Sequence, residues 1–184
     1  MKSSFDQHNR DFVGTIERLA KEIDAQSFRE FCDLLIGLKK SGGSVYLLGN
    51  GGSSSVCSHA ATDLCKIAGV RARGVGDINH LTCVGNDYGY ENSFSTGLEW
   101  FAESSDLVVL VSSSGMSPNI LRAAEIAKTI GCQLITFSGF SSENKLRTLG
   151  NLNFWVDSSS YNVVEMVHHI WLVSVCDYLG ATAI

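Results

Sequence analysis

Two apolar segments of this chain each end in a glycine- or serine-rich turn that leads directly into a helix pattern. The first segment reads VYLLGNGGSSSVCSHAATDLCK over residues 45–66, and the second reads LVVLVSSSGMSPNILRAAEIAK over residues 107–128. Short apolar runs bounded by turn residues are typical of strands buried on both faces of a parallel sheet. Because parallel strands place their carboxyl ends at one edge, beneath the N-termini of the following helices, the two turns predict a shared ligand site.

Predicted strands and helices alternate along the rest of the chain. Amphipathic spacing predicts a first helix over residues 5–23 and a second that starts at Ser27, in a capping-box pattern with Glu30, and ends at residue 40. Further strands are predicted over residues 71–75, 132–137 and 152–156, and further helices over residues 53–67, 118–130 and 162–179. The pattern predicts a single α/β domain over residues 1–184, with a helical segment (1–42) before a core (43–184) built on a parallel sheet with helices on both faces.

Composition excludes several classes of protein. The 184 residues are 45% apolar and 18% charged, as in an ordinary globular domain. The net charge is -5 and no lysine or arginine cluster occurs, so nucleic acid is not an expected ligand. The start lacks the apolar core of a signal peptide and no apolar stretch is long enough to span a bilayer, which predicts a cytoplasmic protein without membrane contact. Six cysteines without a C-x-x-C pair are predicted to be reduced thiols.

The two turns, which we call the glycine turn (residues 49–53) and the serine turn (residues 112–117), offer different groups to a ligand. Glycine lets the main chain of the first turn approach a ligand closely. The serine turn adds four hydroxyls at a helix N-terminus. Together they predict binding of one phosphate and the polar atoms beside it. No nucleotide cofactor is expected, because the turns lack Gly-Lys-Ser/Thr and Ser54 stands where the dinucleotide fingerprint needs a third glycine. The alternative is that both are tight turns with serine caps.

Three longer motifs resemble the sugar isomerase (SIS) domain family, and most closely its phosphoheptose isomerase branch. They are GNGGSSSVCSHAATDL, CVGNDYGYENSF and LVSSSGMSPNILRAAEIAKTIGCQLITFSG, and the resemblance extends over nearly the whole chain. It implies a flavodoxin-like doubly wound fold with two leading helices, and a homotetramer or dimer. It also implies interconversion of sedoheptulose 7-phosphate with a heptose 7-phosphate for bacterial surface sugars, in lipopolysaccharide or capsule.

The same resemblance implies three groups of substrate contacts. The phosphate would be held by Ser112, Ser113, Ser114 and Ser117. The sugar chain would be lined by Asn50, Gly51, Gly52 and Ser53, and its hydroxyls would be bound by Asn86 and Asp87.

Aldose–ketose isomerisation requires a base, a carrier for the protons on oxygen and stabilisation of an enediolate. His59 and Asp63 are four residues apart, hence on one face of the predicted helix, and this spacing also suits two ligands of one metal. The resemblance implies that His59 matches the family's catalytic histidine and that Asp63 stands for its glutamate as the base, and it makes zinc a candidate cofactor. Asp63 is one methylene shorter than the usual glutamate.

The last helix departs from the family pattern. Where that pattern has aspartate, glutamine and a second histidine, this chain has Tyr161, Val164 and Leu172. His168 lies four residues from the last two and is hypothesised to be the surviving proton carrier or third metal ligand, whereas His169 shares a helical stripe with Glu165. The alternative is that both histidines are structural.

Three functions therefore stay open. The first is a phosphosugar isomerase that acts through an enediolate. The second is a non-catalytic sugar-phosphate sensor or assembly protein, favoured by the three substitutions in the last helix, and the third is a paralogous isomerase for another phosphosugar. Apolar first and last helices predict self-association.

Overall fold

Seven α-helices surround a five-stranded sheet in the computed structural model, which describes residues 4–182. The helices are α1 (Phe5–Ala20), α2 (Ala25–Ser41), α3 (Gly51–Asp63), α4 (Ile78–Asp87), α5 (Ser95–Phe101), α6 (Pro118–Ile130) and α7 (Tyr161–Ala181). The strands are β1 (Val45–Gly49), β2 (Ala72–Arg73), β3 (Leu107–Ser112), β4 (Gln133–Ser138) and β5 (Leu152–Trp155). A π-helical turn (Leu64–Ala68) continues α3, and two short 3₁₀ turns occur at Tyr90–Asn92 and Leu146–Thr148.

The strands run parallel throughout, in the spatial order β2-β1-β3-β4-β5. From β1 the chain crosses to one side to form β2 and then returns past β1 to form β3 on its other side. This order is that of the flavodoxin-like fold, whose topological switch point lies between the first and third strands. The predicted doubly wound parallel sheet is confirmed, and β1 and β3 lead directly into the glycine turn and the serine turn.

Alternating side chains of the strands point into two hydrophobic clusters, one on each face of the sheet. Val45 and Leu47 of β1 pack with α1, α2, α3 and α7, whereas Tyr46 and Leu48 pack with α5 and α6. All six residues of β3 are buried. Burial on both faces explains why β1 and β3 are continuous apolar runs rather than alternating ones.

Several element boundaries differ from the sequence prediction, three of them near the start of α2, at the glycine turn and at β2. Helix α2 begins at Ala25, because the Asp24 carboxylate accepts a hydrogen bond of 2.7 Å from the Ser27 backbone N–H and caps the helix. The predicted cap at Ser27 is therefore wrong. Helix α3 begins at Gly51 instead of residue 53, and the strand predicted over residues 71–75 is reduced to β2.

No helix in residues 4–182 is both long and apolar enough to cross a membrane. All six cysteines are unpaired thiols, as predicted. Cys32, Cys57, Cys132 and Cys176 are buried, whereas Cys65 and Cys83 are exposed.

Candidate active site

A reciprocal pair of amide hydrogen bonds joins the glycine turn to the beginning of α6. Asn50 Nδ2 donates to Asn119 Oδ1 and Asn119 Nδ2 donates to Asn50 Oδ1, each at 2.9 Å. Asn119 is only 2% exposed and also donates to Ser93 Oγ at 3.3 Å. Asn119 was not among the predicted site residues, although a buried amide beside a helix N-terminus needs such partners. The two turns are thus neighbours at the switch point, as the sequence predicts.

The serine turn holds a buried hydroxyl with no protein partner. Ser112 Oγ lies 3.4 Å from Ser117 Oγ, and Ser114 Oγ accepts a hydrogen bond of 3.3 Å from the Met116 backbone N–H. Ser113 is 5% exposed, and among the described residues no group hydrogen-bonds to its Oγ. An unpaired buried hydroxyl costs free energy, so a hydrogen-bonding partner at Ser113 Oγ would stabilise the turn.

A buried asparagine that was not predicted from the sequence packs against the serine turn. Asn144 Nδ2 donates to the carbonyl oxygens of Gly139 and Ser141, at 3.2 and 2.8 Å, and to Ser138 Oγ at 3.2 Å. Its side chain lies against Gly115, whose φ of +62° is in the left-handed region. Only glycine suits this position, because a β-carbon would collide with the Asn144 amide.

The glycine turn exposes the backbone at the start of α3. Gly51 has a φ of +53°, and Gly51 and Gly52 are both exposed. Asn50 is the N-cap residue but makes no side-chain capping bond, since its amide is engaged by Asn119 and by the Tyr90 hydroxyl, which donates to Asn50 Oδ1 at 2.9 Å. The first N–H groups of α3 therefore have no side-chain cap, as the prediction of a backbone ligand site requires.

The face of α7 that meets α3 is shifted by one residue from the sequence prediction. Val164 and Leu172, which stand where the family pattern has its glutamine and second histidine, are 0% and 2% exposed and belong to the hydrophobic core. The apolar stripe of α7 turns both residues toward the sheet. Glu165 and His169 face α3 instead.

Glu165 lies directly over the glycine turn. Its carboxyl group occupies the space where a Gly52 side chain would be, so that a β-carbon there would lie 2.7 Å from Glu165 Oε1. No role for Glu165 was predicted from the sequence. The structure thus adds a half-buried carboxyl group to the crevice.

His59, Asp63 and His169 form a contiguous array between α3 and α7. His59 Nδ1 lies 2.6 Å from His169 Nε2, and His59 Nε2 lies 3.2 Å from Asp63 Oδ2. Burial and the neighbouring His59 ring lower the pKa of His169. The structure thus brings the predicted pair together and adds His169 to it. The array borders a groove of about 460 Å³ whose other walls are apolar: Phe12, Val13, Ile16, Met166, Ile170 and Val173.

His168 does not reach this site, so its predicted position is wrong. The side chain is 0% exposed, and His168 Nε2 lies 3.0 Å from the Ser138 carbonyl oxygen. The Phe137 and Trp171 rings pack beside it, and burial lowers the pKa of His168 to about 4. A neutral imidazole enclosed in this way is a structural group, which was the alternative interpretation.

Asn86 and Asp87 lie at the carboxyl end of α4 and are exposed. Asn86 Nδ2 donates to Asp87 Oδ1 at 2.8 Å, and Cys83 Sγ lies 3.6 Å from Asp87 Oδ2. Among the described residues, neither side chain hydrogen-bonds to the glycine turn or the serine turn. Their contact with the substrate therefore stays a prediction.

The donor set does not fit a zinc ion. Both ring nitrogens of His59 are engaged, one by His169 and the other by Asp63. Within residues 4–182, no three His, Cys, Asp or Glu side chains are gathered as metal ligands would be. A protein zinc site needs at least three such ligands, so His59 and Asp63 alone do not make one.

This sequence matches a known protein family over most of its length. A family model described as SIS domain matches residues 7–139. The chain belongs to the SIS domain family. The resemblance seen in the sequence motifs is thereby confirmed.

Curated relatives of this SIS domain are named phosphoheptose isomerase. The one from Campylobacter concisus is 30% identical over 96% of this chain and 93% of the relative. The one from Helicobacter hepaticus is 31% identical over 83% of this chain and 81% of the relative. Among solved structures, a phosphoheptose isomerase from Francisella tularensis has a TM-score of 0.88 and 23% identity, and the match covers 98% of this chain and 100% of that one. At that identity the structural match bears on the fold alone.

Proposed function

We propose that this SIS domain is a phosphosugar aldose–ketose isomerase that binds the phosphate ester of its substrate in the serine turn. The buried Ser113 hydroxyl without a protein partner carries the proposal, because it lies at the switch point beside the N-terminus of α6. A phosphate there accepts hydrogen bonds from hydroxyls and backbone N–H groups and is favoured by the helix dipole.

The substrate proposed is sedoheptulose 7-phosphate, which would be converted to an aldoheptose 7-phosphate. Support comes from the curated relatives, which carry the name phosphoheptose isomerase and match nearly the full chain. The product would supply bacterial lipopolysaccharide or capsule. We place the reaction in the cytoplasm, since a charged sugar phosphate does not cross a bilayer unaided.

The chemistry transfers hydrogen between two adjacent carbons through an enediolate. Such a reaction needs a carboxylate or imidazole as the base and a second group that moves a proton between the two oxygens. The candidates for this work are His59, Asp63 and His169, which are adjacent polar groups between α3 and α7.

Self-association is the second part of the proposal, as a homotetramer or a dimer. The groove beside His59 and His169 is lined by exposed apolar side chains of α1 and α7, among them Val13, Met166 and Ile170. Contiguous exposed apolar surface is typical of a subunit interface. Light scattering on the purified protein tests it, and a monomer at micromolar concentration would contradict it.

Replacing Ser113 by alanine tests the phosphate site. We expect the Kd for sedoheptulose 7-phosphate to rise about 10- to 100-fold, as for loss of a hydrogen bond to a charged group. We expect no loss of thermal stability, because the variant removes a hydroxyl that the protein leaves unpaired. Isothermal titration calorimetry and thermal melting measure the two quantities.

Ser174→Ala on the exposed side of α7 is the matched control and should bind as the wild type does. Wild-type affinity in the Ser113 variant would contradict the phosphate site. Aldose formation from sedoheptulose 7-phosphate tests the activity itself. Binding without turnover would favour the sensor function, which the missing glutamine and second histidine suggest, and turnover of another phosphosugar alone would favour the paralogous isomerase.

We expect the isomerase rate to survive removal of metal. The reason is the donor set: His169 and Asp63 contact opposite nitrogens of the His59 ring, so within residues 4–182 these three side chains do not converge on one ion. The rate is measured before and after dialysis against EDTA, with the metal content determined by mass spectrometry. Loss of activity that zinc restores would show that His59 and Asp63 are metal ligands after all.

A further inference from the structure

We propose that the chain carries a second ligand site, away from the two turns, for a nucleoside monophosphate whose base bears an amino group. The site is a cavity of about 490 Å³ next to β2, the edge strand of the sheet. This volume lies in the range of about 300–1,000 Å³ that is typical of small-molecule sites. The cavity is lined by the segment 73–77, by Asn79, His80 and Cys83 of α4, and by Trp100 and Phe101 of α5.

An arginine packed on two aromatic rings gives this cavity an ordered positive charge. The Arg73 guanidinium carbon lies 4.7 Å from the centre of the Phe101 ring and 5.5 Å from that of the Tyr46 ring. Within residues 4–182 this guanidinium makes no ion pair and donates no hydrogen bond. Stacking restrains the guanidinium and leaves its N–H groups available, and their planar geometry matches the oxygens of a phosphate. The phosphate of the ligand therefore lies at Arg73.

The indole ring of Trp100 provides a surface for a flat ring. The Trp100 and His80 rings pack together with their centres 5.2 Å apart, yet Trp100 is still 54% exposed. Exposed aromatic side chains that are held in one orientation stack on nucleobases. The base of the ligand therefore lies against Trp100.

The carboxylate of Asp77 selects which base is bound. Asp77 Oδ1 accepts a hydrogen bond of 2.9 Å from the His80 backbone N–H and so caps α4, whereas no group in residues 4–182 hydrogen-bonds to Oδ2. An ionised carboxylate accepts hydrogen bonds and does not donate them, so it favours an amino group and disfavours a carbonyl oxygen. The cavity therefore suits adenosine monophosphate (AMP) better than inosine monophosphate (IMP), in which a carbonyl oxygen replaces the amino group of the base.

A line of hydrogen bonds joins this cavity to the glycine turn. His80 Nε2 donates to the Ser93 carbonyl oxygen at 2.8 Å, because a carbonyl oxygen only accepts. Ser93 is 0% exposed, and its Oγ accepts from Asn119, which is paired with Asn50 of the glycine turn. A ligand that restrains His80 therefore also restrains the amide pair. AMP acts here as an effector of substrate binding and takes no part in the reaction.

Isothermal titration calorimetry with AMP, IMP, adenosine and inorganic phosphate tests the site on the wild-type protein. We expect a Kd for AMP below about 1 mM, and a Kd about 10-fold or more higher for each of the other three, since each lacks one of the contacts. No binding of AMP, or equal Kd values for AMP and inorganic phosphate, would overturn the proposal.

Two variants assign the contacts to their residues. Arg73→Gln should raise the Kd for AMP about 10-fold or more and leave that for adenosine unchanged, because adenosine has no phosphate. Asp77→Asn keeps an oxygen that caps α4 but adds an amide donor, so the preference for AMP over IMP should disappear. Arg71→Gln is the matched control, since Arg71 is exposed and does not line the cavity. Wild-type binding of AMP in Arg73→Gln would contradict the assignment.

The link to the glycine turn is tested by titrating sedoheptulose 7-phosphate with and without saturating AMP, and this part rests on the proposed function. We expect AMP to lower the Kd for the sugar phosphate about 5-fold, because a restrained His80 leaves less motion to be lost on binding. His80→Phe keeps a ring beside Trp100 but cannot donate to Ser93, so it should bind AMP without this effect. Equal Kd values for the sugar phosphate with and without AMP in the wild type would overturn the link.

The outcomes separate this site from the function proposed above. A wild type that binds AMP with the expected selectivity but binds no sugar phosphate would overturn the isomerase function and leave the nucleotide site standing. A protein that ignores AMP, and whose oligomer dissociates in the Trp100→Leu variant, would show that the exposed aromatic side chains form a contact between copies of the chain. That result would overturn the nucleotide site.

Discussion

Gly115→Ala is expected to destabilise the protein by about 2–4 kcal/mol and to abolish tight phosphosugar binding. Gly115 has a φ of +62°, and its β-carbon would collide with the Asn144 side chain. Displacing Asn144 breaks its bonds to Gly139 and Ser141. The added methyl group also forces Gly115 and the serine turn away from Asn144, so stability and binding fall in the same variant. Chemical denaturation and calorimetry with sedoheptulose 7-phosphate measure the two losses.

Gly37→Ala is the matched control for this experiment. Gly37 lies inside α2, where the methyl group of an alanine would enter open space, so the substitution should stabilise the helix by about 0.5–1 kcal/mol. Substrate affinity should stay at the wild-type value. Equal stability of the Gly115 variant and the wild type would show that Asn144 and the serine turn are not coupled.

The second large effect is a loss of stability in acid caused by His168. Burial lowers the pKa of His168 to about 4, whereas an unfolded histidine has a pKa of about 6.5. Below pH 6.5 the unfolded chain therefore binds a proton that the folded chain does not. The contribution is complete above pH 6.5 and is lost as the pH falls toward 4, by about 3 kcal/mol in total. Denaturation in urea at pH 7, 5.5 and 4.5 measures it.

His168→Gln removes this titration and keeps an amide that donates to the Ser138 carbonyl oxygen. We expect the variant to be less stable than the wild type at pH 7 but to lose less stability between pH 6.5 and 4. His8→Gln, on the exposed surface of α1, should follow the wild-type pH dependence. Parallel curves for the wild type and the His168 variant would show that His168 does not bind its proton on unfolding.

The sheet and its switch point could be predicted from local patterns. Helix α6 has its predicted limits, because Pro118 opens it and Gly131 ends it in the left-handed conformation, with a φ of +95°. The two turns could be predicted in the same way, since each follows a continuous apolar run that is typical of a buried parallel strand. A predicted helix boundary was wrong where a neighbouring side chain caps the helix, as Asp24 does at the start of α2.

The side chains of α7 could not be placed from the sequence. This helix is apolar around most of its circumference, so periodicity does not say which stripe faces the sheet. His168 and His169 are adjacent in the chain and chemically identical, yet the first is buried against Ser138 and the second contacts His59. The family motif has its site residue at the position of Val164, whereas the packing of α7 places Glu165 at the glycine turn.

The amino-acid sequence by itself determined the fold class, the two turns and the serine hydroxyls, because each follows from apolar runs and from glycine and serine at fixed offsets. Only the tertiary structure decided which carboxyl and imidazole groups of α7 meet α3. The face of α7 that packs on α3 selects them, and that choice depends on the fit of many buried side chains at once rather than on any local pattern.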